Sequence, residues 1–147
     1  MSRKRTEKEN FLVMSSIRGK NTKLEQSVSK AIWRKGIRFR KNVTGLFGKP
    51  DIAIKKYKIV IFIDSCFWHG CSLHYKQPRK NPEYWEKKIT RNIQRDIEVT
   101  QYYLKKEWTL IRVWEHELKR DFDNIIDQIA DCINTSIIHY SSMSHAA

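Results

Sequence analysis

The sequence predicts an α/β domain, a mixed central sheet with helices on both of its faces. Three observations lead there. Helical and strand periodicities alternate along the chain in the order helix, strands, helix, strand, helix. The run Ile59-Val60-Ile61-Phe62-Ile63 is continuously apolar, as in a strand buried on both faces. A chain of 147 residues with 40% hydrophobic content can fill one core, and a second folded domain is not expected.

Residues 1–20 are basic and polar with a small apolar group at Phe11, Leu12, Val13, Met14 and Ile17, which predicts an N-terminal arm that orders on its partner. Thr22-Lys23-Leu24-Glu25 has capping-box spacing. Leu24, Val28, Ala31 and Ile32 then recur at helical intervals until Gly36 offers a stop. Ile37-Arg38-Phe39-Arg40 alternates apolar with basic, as a half-exposed strand does, before a loop at Thr44 to Lys49. Asp51 to Ile54 and Lys58 to Asp64 flank Lys55-Lys56-Tyr57 as the arms of a hairpin, with an acid at the outer end of each arm. Ser65 to Arg79 is irregular and rich in Cys, His and aromatic residues.

Asn81-Pro82-Glu83 predicts a helix start, with Asn as cap, and Trp85, Ile89, Ile93 and Ile97 form an apolar stripe in a helix running to about Lys106. Trp108 to Trp114 is expected as another central strand. Phe122, Ile125, Ile126, Ile129 and Ile133 predict a last helix capped by Asp121, with Cys132 in its core face and a disordered tail from Ser141. The expected organisation is thus an arm at 1–20, one domain at 21–140 and a tail at 141–147.

Lys and Arg total 29 against 16 acids, giving a formal charge of +13, which calls for a polyanionic partner. Charge alone does not separate DNA, RNA and an anionic membrane. No apolar run approaches the roughly 20 residues of a membrane span, and Met1 to Asn10 lacks a signal-like stretch, so a soluble cytoplasmic protein is expected. Three cysteines are too few for a disulfide framework and point to metal binding or burial. Five Trp, six Tyr and six Phe among basic residues suit stacking on bases as well as core packing.

Metal-assisted phosphodiester hydrolysis needs carboxylates that hold a hard cation through oxygen. Asp51, after Gly48-Lys49-Pro50, is the leading candidate, because Pro-Asp on one hairpin arm with an acid about a dozen positions later has the spacing of a PD-(D/E)XK nuclease core. The lysine expected two positions after the second acid is absent, and Cys66 holds its place; His69 is near enough in sequence to handle the proton instead. Cys66, Cys71, His74 and His116 form a possible Zn2+ set that would staple the loop to the end of a distant strand. Phe67-Trp68, joined by Trp85, suits either insertion between base pairs or core packing.

The string Cys66-Phe67-Trp68-His69-Gly70-Cys71, with Gly48 to Asp51, Tyr84-Trp85, Arg91-Asn92, Arg95-Asp96, Val113 to Glu117 and the stretch Met14 to Thr22, resembles the very short patch repair (Vsr) mismatch nucleases. The resemblance implies a restriction-endonuclease-like fold and a Mg2+-dependent nick on the 5′ side of the thymine in a T:G mismatch left by deaminated 5-methylcytosine. It implies Asp51 and the Ile63 backbone carbonyl as Mg2+ ligands and His69 as the residue that activates water. Glu25 and Asp96 match supporting acids; Glu25 also completes a capping box, and Asp96 could instead pair with Arg91, Arg95 or a nearby lysine. Phe67, Trp68 and Trp85 match an aromatic wedge, and Met14, Lys88 and Asn92 match positions that contact bases, though Lys88 fits a solvated helix charge equally well.

The chain departs from the pattern at Ile63, where some members have Thr, at Asp64, which replaces a His or neutral residue and could add a Mg2+ ligand, and in its Cys2His2 zinc set. The expected partner is T:G-mismatched duplex DNA, cut by a monomer in a bacterial cytoplasm, at the nucleoid, with a functional link to a cytosine-5 methyltransferase and a repair polymerase. Two alternatives stay open. One is a restriction or structure-specific endonuclease without mismatch preference; the other is a zinc-stabilised DNA-binding module that does not cleave.

Overall fold

The computed structural model describes residues 23–145. Met14, the rest of the arm and the Thr22 cap therefore lie outside the described residues. The elements are α1 (Lys23–Arg34), β1 (Arg40–Lys41), β2 (Ile52–Ile54), a 3-10 turn (Lys55–Tyr57), β3 (Ile59–Asp64), α2 (Pro82–Lys105), β4 (Thr109–Trp114), α3 (Glu115–Arg120) and α4 (Phe122–His145). The sheet order is β1-β2-β3-β4. β1, β2 and β3 pair antiparallel, and β3 pairs parallel with β4, so the sheet is mixed as predicted.

All six residues of β3 are buried, which explains its unbroken apolar run. Ile59, Ile61 and Ile63 project toward Val28 and Ile32 of α1 and Ile126, Ile129 and Ile133 of α4. The alternate residues Val60 and Phe62 meet Val99 and Tyr103 of α2 on the opposite face. By the same alternation Asp64 and its neighbour Arg112, which is paired with Phe62, belong to the α2 side. Helices thus cover both faces, and a charged pair lies where the α2 layer meets the strand ends.

Several local predictions are corrected. The first strand is Arg40–Lys41, not Ile37 to Arg40, because Ile37 turns into the core; the exposed basic strand suits a sheet edge. Asn81 precedes α2 as predicted but has a positive φ of 52° and makes no side-chain cap bond. The stripe on α2 also drifts. Ile93 and Ile97 are exposed, whereas Trp85, Ile89, Val99 and Tyr103 are buried. A four-residue step advances about 400°, so repeated steps walk off the contact line. Cys132 is exposed, one position off the Ile126, Ile129, Ile133 face. The chain after Trp114 forms two helices. Asp121 joins them, its N–H donating to the Glu117 carbonyl and its carbonyl accepting from Ile125. α4 continues through His145, so Ser141 to His145 extends a helix where a disordered tail was expected.

Candidate active site and candidate metal centre

The antiparallel hairpin brings the start of β2 and the end of β3 to one edge, and the parallel register of β4 carries its C-terminal end to the same edge. Loops leaving parallel strands there are natural ligand positions. Asp51 precedes β2, and its Oδ2 accepts the Ile63 N–H at 2.7 Å. Burial pushes the carboxyl up to about 7; Glu25 and Asp64 add to the effect, while the Ile63 N–H and His69 oppose it. Such a group is poised to take up a cation. One oxygen is already held by backbone, and the site wants positive charge.

His69 Nδ1 lies 2.6 Å from Asp96 Oδ2 and 3.6 Å from Asp64 Oδ1. Burial acts to lower the imidazole, but the Asp96 hydrogen bond and the charges of both acids outweigh it and hold His69 above its ordinary value. Engaging Nδ1 with carboxylates leaves Nε2 as the nitrogen for proton exchange. If the neutral ring is the working base, Asp96→Asn is expected to slow cleavage about 10- to 100-fold and to move the acid limb of the pH–rate profile to lower pH. An unmoved limb would show that Asp96 does not tune His69.

Both centres line one open cleft of about 780 Å³, whose floor carries Asp51, Asp64, Asp96 and Glu115 with Glu25 at the α1 side. Lys23, Lys49, Arg95 and Lys119 also line it. A cation held among the acids and a phosphate held by the bases is the arrangement such a cleft accommodates. Burial pushes the Asp64 carboxyl up, and His69 and Arg112 pull against it. Both Asp64 oxygens lie 3.0 Å from Arg112 Nη1.

Two glycines set the loops against α2. At Gly48, with φ 76°, an added Cβ would lie 2.6 Å from Val99 Cγ1. At Gly70, with φ 60°, it would lie 2.7 Å from Ile93 Cδ1 and 2.8 Å from Ile89 Cγ2.

The parallel pairing Asp64↔Trp114, continued by two residues, sets Cys66 beside His116. Cys66 Sγ is 3.4 Å from His116 Nδ1, and Cys71 Sγ is 3.6 Å from His116 Nδ1 and 3.9 Å from His74 Nδ1. All four ligand atoms of Cys66, Cys71, His74 and His116 fall within 4.8 Å of one another. Tetrahedral zinc bonds require sulfur–nitrogen separations of about 3.5 Å, so the set fits that ion. The Cys71 N–H donates to the Cys66 carbonyl, closing the loop that carries His69 between two ligands.

Phe67, Trp68 and Trp85 pack ring against ring with centroids 5.1 to 5.8 Å apart, and Tyr75 and Tyr84 extend the cluster. Trp68 and Trp85 are buried and Phe67 is half-buried. Asn92 Nδ2 donates to the Trp68 carbonyl at 2.9 Å, and Lys88 is half-buried one turn before it. Sequence reasoning did not single out Arg112 or Glu115, whose Oε1 accepts the Cys66 N–H at 3.3 Å. The available signal was a lone arginine in the apolar string Leu110-Ile111-Arg112-Val113, since a buried guanidinium demands acidic partners.

Among the described residues no helix is long and apolar enough to cross a membrane. A family profile described as DNA mismatch endonuclease Vsr matches residues 3–75. The chain is 41% identical to the type II nicking enzyme V.NmeDIP of Neisseria meningitidis serogroup C over 110 residues, 74% of each chain. It is 44% identical to the type II nicking enzyme V.NmeAIP of Neisseria meningitidis serogroup A over 115 residues, 78% of this chain and 81% of that one. With the DNA mismatch endonuclease Vsr of Escherichia coli it shares 32% identity over 108 residues, 72% of this chain and 69% of that one. The mixed sheet, the carboxylate and histidine cleft and these matches together establish that the chain belongs to the Vsr endonuclease family.

Proposed function

We propose that this DNA endonuclease nicks one strand of duplex DNA on the 5′ side of the thymine of a T:G mismatch, as very short patch repair requires. The observation that carries the reading is the Phe67-Trp68 pair, packed on Trp85 and continuous in sequence with His69, so that a wedge for a weakened base pair adjoins the chemistry. A mismatched step is cheaper to unstack than a matched one. The cluster is closed as described, so insertion requires the Phe67 and Trp68 rings to swing from Trp85 toward the duplex.

In this reading Asp51 and the Ile63 carbonyl hold Mg2+, which when bound offsets the charge that builds on the scissile phosphate. His69, oriented by Asp96, takes a proton from the attacking water through Nε2. Glu25 supports the Asp51 side of the cleft from α1. Asp64 serves as an orienting acid, since Arg112 occupies both its oxygens, and Asn92 reaches the lesion through the Trp68 loop. Lys88 and the arm residue Met14 complete the contacts to bases. Cys66, Cys71, His74 and His116 would hold Zn2+ through four protein ligands, as structural zinc requires. The protein acts as a monomer in the cytoplasm, beside a cytosine-5 methyltransferase and a repair polymerase.

A second reading, a nicking endonuclease that recognises sequence without a mismatch, is favoured by the names of V.NmeDIP and V.NmeAIP. Purified protein incubated in Mg2+ with T:G and matched T:A duplexes in several sequence contexts decides between them. The first reading expects a preference of about 30-fold or more for T:G, the rate equivalent of about 2 kcal/mol saved in unstacking. Equal cutting of both duplexes supports the second, and binding without a cut refutes both.

A further inference from the structure

We infer that Arg112 is the resident cation of the active site, a positioning residue that holds Asp64 and Asp96 around His69 and takes the electrostatic place of the lysine that the nuclease core lacks. The inference rests on the reading of His69 and Asp96 as catalytic groups. The missing lysine leaves Asp64 and Asp96 to other partners, and although Lys23, Lys49, Arg95 and Lys119 line the same cleft, none of them forms an ion pair with either acid among the described residues. Cys66, in the lysine's place, belongs to the candidate zinc set. Arg112 enters the same space from β4, one strand away.

Its contacts are those of a clamp. Nη1 lies 3.0 Å from both oxygens of Asp64 and 3.9 Å from Asp96 Oδ1. Nη2 donates to the Asp96 backbone carbonyl at 3.3 Å, and Nε donates to Thr100 Oγ1 at 3.1 Å. The guanidinium lies over the Phe62 ring, 4.5 Å from its centroid. Among the described residues, only Arg112 and His69 itself form ion pairs with Asp64 or Asp96. One planar fork therefore ties β3, β4 and α2 together at the two carboxylates that flank His69 Nδ1. With Nε, Nη1 and Nη2 each bonded to protein, Arg112 orients the acids and through them the imidazole.

The experiment compares wild type, Arg112→Met and Arg112→Lys on whichever duplex the wild type nicks, measuring the single-turnover rate, the DNA Kd without divalent metal, and the ring 15N signature of His69. Arg112→Met is expected to slow cleavage about 10- to 100-fold, to leave Kd within about twofold, and to replace the single Nδ1–H signature by a mixture of tautomers. Arg112→Lys, which keeps the charge but not the fork, is expected to fall between Met and wild type. Should Arg112→Met fail to fold, the double variant Asp64→Asn/Arg112→Met removes the unpaired buried acid; it is expected to fold and remain slow. A folded variant without Arg112 that cleaves at the wild-type rate overturns the inference. So does a rate loss matched by an equal loss of DNA affinity, which would make Arg112 a phosphate contact. A wild type that nicks neither duplex refutes the catalytic reading itself.

Discussion

Asp51→Asn is expected to reduce nicking about 1,000-fold or more while leaving the fold intact. Asparagine can still accept the Ile63 N–H through its amide oxygen, so the hairpin edge keeps its hydrogen bond. What disappears is the anionic oxygen needed to hold a divalent cation. The same variant makes a stability prediction with a definite sign. Asp51 is held at about 7, above the ordinary carboxylate value, because its charged form is buried. The folded state therefore binds this proton more tightly than the unfolded chain does. That contribution is complete below about pH 4 and is lost as pH rises through about 7, on the order of 4 kcal/mol in all. Metal-free wild type should lose stability across this window relative to Asp51→Asn. At pH 8, millimolar Mg2+ should raise the Tm of wild type and not of Asp51→Asn. Activity or a Mg2+-dependent Tm surviving in the variant would place the metal elsewhere.

Cys71→Ser is expected to remove stoichiometric zinc and to lower Tm by roughly 10 °C or more. Cys71 is buried, and its sulfur is the one that approaches both histidines. Losing the ion frees the segment from Cys66 to His74 from the end of β4, and His69 lies within that segment. Cleavage should therefore fall together with zinc, and DNA affinity less so. Metal analysis, thermal melts and a nicking assay on the same preparation check this. Full zinc content in the variant, or zinc loss without a drop in Tm, would sink the staple.

The sequence disclosed the elements whose identity depends on continuous burial or on local spacing. The β3 run had to be a central strand, and the hairpin placed Asp51 and Asp64 at one edge. The donor set from Cys66 to His116 was legible from chemistry alone, because few other arrangements occupy two cysteines and two histidines. Errors arose where polar residues sit inside a face. On α2 the four-residue rule selected Ile93 and Ile97, but the helix turns Asn92 and Asp96 toward the Trp68 and His69 loop. Only the resemblance to a known family marked those two positions, since apolar periodicity counts them as breaks. Arg112 escaped for a related reason. Its partners lie in β3 and α2, 48 and 16 positions away in the chain, and the pairing exists only once the parallel register has formed.

The tight approach of Gly48 and Gly70 to α2 bears on which positions can change without moving the cleft. The Gly48 loop, which leads into Asp51, is seated on Val99, and the Gly70 loop, which follows His69, is seated on Ile89 and Ile93 of the same helix, at separations that leave no room for a methyl group. Lys87 and Arg91 of the same helix are exposed and make no such seat, whereas the exposed Arg95 lines the cleft. A side chain added at Gly48 or Gly70 would therefore lift its loop from α2 and carry Asp51 or His69 with it, whereas a change at Lys87 or Arg91 would leave both loops where they sit.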